Sequence, residues 1–308
     1  MDKNLIRIPF DPSFNFRECL WFLNRNYDDC LHRVNDTYIE KALIIDQQPV
    51  LFRIDADSAH LIVTILEGPV TVAIKAAIRC YIAEWFDMDR DIKPFYKLLR
   101  QDKRLSYMAK DFAGLRLIGI PDLFEAICWC IIGQQINLVF AYKIKRRLAE
   151  KYGTKVIYGD TVHYIFPDST VLQLATMEDL RAMQFSARKV EYLVTVAKAF
   201  SNGTLSKEMI RNLPDFSARQ QALIRIKGIG IWTANYVLMK SLREPSGIPY
   251  GDAGLLNALI KHGIIRDKKE QAAMTLFFQQ FVGWESYLAF YCWRSLAGSQ
   301  AQVIHGKS

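Results

Sequence analysis

Residues 224–255 read IRIKGIGIWTANYVLMKSLREPSGIPYGDAGL. Helical runs flank Lys227-Gly228-Ile229-Gly230, and the spacing predicts one helix over 215–226, a tight hairpin at 227–230 and a second helix from Ile231 to about Leu242. Two glycines allow the backbone to turn with positive φ and leave no Cβ between a large ligand and the hairpin N–H groups. Those groups sit at a helix N-terminus, where unsatisfied donors and the helix dipole favour a phosphate. An ordinary helical turn carries the same two glycines, so the hairpin alone leaves DNA binding open. Trp232 and Tyr236 are four residues apart and share one face of the second helix, an arrangement that most often serves a core. Pro249 stiffens the approach to Asp252, which precedes the helical run 253–262 and reads first as an N-cap.

Working outward, the first 70 or so residues alternate short β-rich runs with turn signals. The runs 37–46 (TYIEKALIID), 49–55 (PVLFRID) and 60–66 (HLIVTIL) are β-branched and half alternating, while 17–26 (RECLWFLNRN) has helical apolar spacing. From about Thr71 the period changes to three and four, and the helical pattern continues to Leu296 with brief breaks at 153–169, 212–214 and 243–251. The pattern predicts a small α+β head followed by a long helical body, without internal repeats.

At 308 residues the chain exceeds the usual size of a single core, so two or three packed subdomains are expected. Forty Lys and Arg against 32 Asp and Glu give a net charge of +8, which suits a polyanionic partner. The six cysteines lack metal-ligand spacing; the closest pair, Cys128-x-Cys130, lies in an apolar helical run and reads as core. No apolar leader opens the sequence, and the expectation is a soluble, reduced, intracellular protein.

The helix, KGIG, WTANY and an aspartate reached through Pro-x-x-Asp together resemble the helix-hairpin-helix DNA glycosylase superfamily, nearest to its bacterial 3-methyladenine DNA glycosylase II members. The likeness runs through nearly the whole chain. It includes the aromatic opening 11–23 (DPSFNFRECLWFL), the segment 114–135 (GLRLIGIPDLFEAICWCIIGQQ), the Phe-Pro pair of 164–176 and the late stretch 284–293 (WESYLAFYCW). The resemblance implies an α+β fold with an N-terminal antiparallel sheet domain at 1–92 and a two-lobed helical body at 93–308. One lobe would span 123–244 with the hairpin, the other 93–122 plus 245–308, with the substrate cleft between them.

By the same resemblance the chain is a monofunctional DNA glycosylase that hydrolyses the N-glycosidic bond of alkylated purines, chiefly 3-methyladenine and 7-methylguanine. The alternatives are a glycosylase for oxidised purines and a non-catalytic hairpin-based DNA-binding protein. Asp252 matches the catalytic aspartate, and Trp232, Tyr236 and Trp293 match aromatic positions of the base pocket. Gly228, Ile229 and Gly230 match the phosphate-gripping hairpin, and the carbonyls of Ile224, Ile226 and Ile229 match those that hold a monovalent cation, Na or K. No other cofactor is implied. The partner is double-stranded DNA containing damaged bases, met by a monomer in the cytoplasm, without a membrane.

Two departures from the family pattern stand out. Bifunctional relatives carry their Schiff-base lysine where this chain has Trp232, which predicts no lyase step. Lys240, the only lysine of the second helix, is expected as a phosphate contact or surface charge. Gln135 aligns with an apolar minor-groove wedge, and it reads equally as a wedge or as a polar helix end. Basic runs at Lys143, Lys145, Arg146, Arg147 and Lys151, and at Lys93, Lys97, Arg100, Lys103 and Arg104, are expected as solvated faces, some of them meeting phosphates.

Overall fold

The computed structural model describes residues 3–25 and 29–297. Its first part is a five-stranded antiparallel sheet built from β1 (Leu5–Pro9), β2 (His32–Val34), β3 (Ile39–Ile45), β4 (Gln48–Ala56) and β5 (His60–Glu67), in the order β1-β5-β4-β3-β2. Helix α1 (Phe16–Leu23) links β1 to β2; the run read as helical to residue 26 stops at Leu23, and residue 26 lies outside the described residues. Along β5 the alternation buries Leu61, Val63 and Ile65 on one face. β4 keeps the alternation, with Val50, Phe52 and Ile54 on that core face and Leu51 buried on the opposite one, while its register against β5 shifts at Leu51/Phe52 and leaves Leu66 without a partner.

α2 (Val72–Trp85) starts at Thr71, whose hydroxyl accepts from the Ile74 N–H, and buries Ile74, Ile78, Ile82 and Trp85 in a single stripe. α3 (Lys93–Gln101) and α4 (Met108–Asp111) follow. The next elements are α5 (Leu123–Gly133), α6 (Leu138–Tyr152), α7 (Ser169–Leu172), α8 (Met177–Ala182), α9 (Ala187–Ser201), α10 (Lys207–Arg211), α11 (Phe216–Ile224) and α12 (Ile231–Ser241). α13 (Ala253–Lys261), α14 (Gln271–Phe278) and α15 (Glu285–Leu296) close the described chain, and residues 298–308 of the expected last lobe lie outside it.

Two cores result. The sheet, α2 to α4 and α13 to α15 share one cluster, whereas α5 to α12 enclose another. Phe22 of α1 meets Phe290 of α15 at 4.4 Å between ring centroids, and the buried Arg294 donates to Glu18 at 2.5 Å, so the last helix is tied back onto the first. The two cores are joined along 118–121. There the Gly119 N–H donates to Trp85 O (2.7 Å), the Ile120 N–H to Lys240 O (2.7 Å) and the Ser241 hydroxyl to Pro121 O (3.2 Å).

The break in the helical pattern at 153–169 is a β-hairpin, β6 (Thr154–Tyr158) and β7 (Thr161–Ile165). Val156 and Ile165 pack on Ala42 and Leu51, so the hairpin covers the outer face of the N-terminal sheet. Its sequence signal was present: two β-branched runs around Gly159-Asp160, with Gly159 at φ +57. Cys128 and Cys130 are buried in α5, as core residues should be, and burial pushes both thiols well above their usual range. Among the described residues no helix is long and apolar enough to cross a membrane.

Candidate active site

α11 ends at Ile224, the chain turns through Gly228, and α12 begins at Ile231. Gly228 has φ +91, and a Cβ there would lie 2.3 Å from the Tyr192 ring. Gly230 is different: its φ is −93, and an added Cβ would meet nothing within 4 Å. The positive φ expected of both glycines therefore belongs to Gly228 alone, while Gly230 keeps the approach to the helix open. Gly230 is the N-cap of α12 and offers no side chain to its first-turn N–H groups, which leaves them available to an anion. The buried Ile229 anchors the turn, its N–H donating to Ile226 O at 3.0 Å.

A second loop is fastened to this hairpin. The Gln134 amide donates to Gly228 O at 3.0 Å, and the adjacent Gln135 is exposed at φ +57 on the turn between α5 and α6. Sequence reasoning singled out Gln135 and missed its neighbour, because nothing in a Gln-Gln pair says which amide is tethered.

From the start of α12 an aromatic row leads inward. Trp232 and Tyr236 stack with centroids 5.5 Å apart, and Tyr236 lies 6.0 Å from Trp293 of α15. The Trp129 indole N–H donates to the Tyr236 hydroxyl at 3.2 Å, and burial raises that phenol so that it stays neutral. At the end of the row the Trp293 indole N–H donates to Asp252 Oδ1 at 2.8 Å. The same oxygen accepts the Leu255 N–H at 2.7 Å, which makes Asp252 the N-cap of α13. Both donors converge on Oδ1, and Oδ2 remains for other chemistry. Gly254 permits this approach, since a Cβ there would stand 3.2 Å from Trp293 Cδ1.

Asn235 ties α12 to the loop that precedes the aspartate. It is 1% exposed, accepts from the Gln220 amide at 2.5 Å and donates to Ile248 O at 2.6 Å, fixing the loop that carries Pro249 to Asp252. The run WTANY thus contains a positioning residue between its two aromatic ones.

Two basic residues depart from expectation. Lys240 is 6% exposed and donates to Ile118 O, so it is neither a phosphate contact nor a surface charge. The cause is helical phase: Lys240 falls on the same inward stripe as Tyr236. Lys145, taken as part of a solvated basic face, is 3% exposed and donates to Asp29 at 3.0 Å and Glu125 at 3.3 Å. Lys143 and Arg147, on the other side of α6, are exposed as expected, and so are Lys93, Lys97, Arg100, Lys103 and Arg104.

With this geometry in place the likenesses to other proteins can be read. Residues 128–282 match the family described as HhH-GPD superfamily base excision DNA repair protein, and residues 21–127 match the N-terminal domain of 8-oxoguanine DNA glycosylase. A DNA-3-methyladenine glycosylase of Bacillus subtilis is 35% identical over 300 residues, 96% of this chain and 98% of its own length. The chain belongs to the HhH-GPD superfamily and is a DNA glycosylase of that family. DNA-3-methyladenine glycosylase 2 of Escherichia coli is 34% identical over 129 residues, 41% of this chain and 44% of its own. Among solved structures, the 3-methyladenine DNA glycosylase of Archaeoglobus fulgidus superposes with a TM-score of 0.80 at 23% identity, covering 94% of this chain and 97% of its own. An 8-oxoguanine glycosylase/lyase of Clostridium acetobutylicum reaches 0.73 at 19% identity, covering 96% of each chain. At such identities these superpositions speak for the HhH-GPD fold and leave the substrate to the residues of the site.

Proposed function

We propose that this HhH-GPD protein is a monofunctional glycosylase for alkylated purines, chiefly 3-methyladenine and 7-methylguanine, acting as a monomer on damaged double-stranded DNA in the cytoplasm. The observation that carries the reading is the carboxylate of Asp252 held by two donors at the end of an aromatic row. A target base must leave the duplex to be reached, and Trp232, Tyr236 and Trp293 offer it ring faces. Ring alkylation makes the purine cationic, and electron-rich aromatic faces attract a cation. Loss of the cationic base leaves positive charge on the sugar. Oδ2 of Asp252 stabilises that charge and orients or deprotonates the attacking water.

The hairpin grips a DNA phosphate through the open N–H groups of α12, with Gly230 leaving room for its oxygens. The carbonyls of Ile224, Ile226 and Ile229 suit a Na or K ion. Among the described residues Ile224 and Ile229 accept no backbone hydrogen bond, and Ile226 accepts one, from Ile229. Such an ion would add positive charge beside the phosphate. Gln135, exposed on the loop tethered to the hairpin, fills the space left by the flipped base. Trp232 supplies no amine at the position where bifunctional relatives hold their lysine, so the product is an intact abasic strand.

The test is release of bases from alkylated DNA, resolved by chromatography. Asp252→Asn should keep lesion binding and lose excision by about two orders of magnitude or more; an Asn variant excising at the wild-type rate sinks the assignment. Trapping of an enzyme–DNA adduct by borohydride would contradict the monofunctional reading.

A further inference from the structure

Behind Tyr236, where the inner end of α12 meets the N-terminal sheet, lies a cavity of about 100 Å³ whose lining includes Phe22, Lys41, Trp129, Lys145, Tyr236 and Lys240. Two carboxylates, Asp29 and Glu125, also face it, and both are taken up by the Lys145 ammonium. The remaining amines are not matched in the same way. Lys41 is 5% exposed, and among the described residues it has no acceptor in hydrogen-bonding range; the Trp85 ring lies 5.8 Å away, and the charges of Glu125 and Asp29 act on it from a distance. Lys240 donates to a single carbonyl, that of Ile118. Lys41 and Lys240 therefore bring N–H donors to the cavity that the Lys145 cluster does not use, and donors in such a place suit an acceptor.

Depth along α12 indicates what that acceptor is. Lys240 follows Tyr236 by one helical turn, roughly 6 Å of rise on the same face. Tyr236 and its hydrogen-bond partner Trp129 belong both to the aromatic row and to the cavity wall, so a purine that reaches past Tyr236 would enter with its C6 edge, the edge farthest from the sugar. We propose that the cavity is the inner half of the base site and that Lys240, with Lys41 behind it, reads the C6 edge, favouring a carbonyl oxygen over an amino group. A guanine-derived base brings the O6 acceptor to the lysine N–H, whereas an adenine-derived base brings donors against donors. Burial, with the Arg25 charge nearby, pushes Lys240 down to about 7, so near neutral pH a large share of the amine is uncharged. The uncharged share limits repulsion of a cationic base, and the charged share, which has no acceptor, makes the distinction at C6.

The inference rests on the base-excision reading above and deepens it. Methylated DNA carries 7-methylguanine and 3-methyladenine together, both cationic and differing at C6, so one digest measures the ratio of their release. Lys240→Met keeps the length of the side chain and removes its donors, and the ratio should fall about tenfold, the worth of one hydrogen bond to a charged or strongly polar group. A ratio within about twofold of wild type, with both bases released, overturns the role of the cavity and leaves the excision reading intact. Release of neither base by the wild-type protein removes the excision reading and this proposal with it. Should Lys240→Met fail to fold, the unmodified enzyme decides: free hypoxanthine should inhibit at lower concentration than free adenine, and equal inhibition overturns the proposal.

Discussion

The outer and inner halves of α12 are built from opposite materials. Toward the hairpin its inward stripe presents Trp232 and Tyr236, half-buried rings stacked on each other, the second of them against Trp293. One turn further in, the same stripe presents Lys240 above a cavity bordered by Lys41, Lys145, Asp29 and Glu125. Chains usually place rings inside and charges outside, so the inversion needs a reason. At the mouth an electron-rich surface meets a cation without carrying charge of its own. Inside, each charge is costly to desolvate and persists where a partner or a ligand compensates it. Lys145 illustrates the rule. Burial by itself lowers its pKa, but Asp29 and Glu125 outweigh that and hold the ammonium charged.

The strongest way to break this contrast is to strip the inner half of its compensation. Lys145→Met leaves Asp29 and Glu125 buried without their cation and should destabilise the protein by roughly 3–5 kcal/mol. A urea midpoint equal to that of wild type would show that the inner charges are solvated after all.

The hairpin offers a sharper test, because its two glycines do different things. Gly228→Ala combines a left-handed φ with a collision against Tyr192 and should cost about 1–3 kcal/mol of stability as well as DNA affinity. Gly230→Ala should leave the melting curve unchanged and weaken binding to damaged and undamaged duplexes alike, since the hairpin meets the backbone and not the base. Equal stability losses in the two variants would contradict the division.

At the mouth, Trp293→Phe keeps a ring and deletes the N–H that reaches Asp252. Turnover should drop about tenfold with KM little altered, the cost of one hydrogen bond to a carboxylate. If KM rises and turnover holds, Trp293 serves as a stacking surface and does not position the aspartate. The smallest effect is expected at Gln135, outside both halves. Gln135→Ala should slow excision from duplex DNA several-fold, about 1 kcal/mol, and hardly alter it from single strands, where no gap needs filling. Equal losses on the two substrates would remove the wedge role.

Local rules made part of this molecule legible in its sequence. Strands β3, β4 and β5 followed from β-branched alternation, α11 and α12 from apolar spacing on either side of two glycines, and Asp252 from its place before a helical run. Each depends on neighbours a few residues away, and that is the range over which propensity and capping act. β1 and β2 were not singled out, being five and three residues long and stabilised by pairing with β5 and β3. The hairpin β6–β7 carried a local signal in its β-branched runs around Gly159-Asp160, but what it covers, Ala42 and Leu51 more than a hundred residues earlier, was beyond the reach of any local pattern.

For the site, the sequence by itself determined which residue types were present and on which helix face they fell. The stripe of Trp232, Tyr236 and Lys240 is a matter of helical period. What covers the stripe is not, and only the tertiary structure decided that Trp293, on another helix, donates to Asp252, or that Gln134 tethers the hairpin. It likewise decided that Lys240 and Lys145 lie inside. The physical reason is that the burial of a charge depends on the partners brought to it across the fold, and those partners are set by packing between elements distant in the chain.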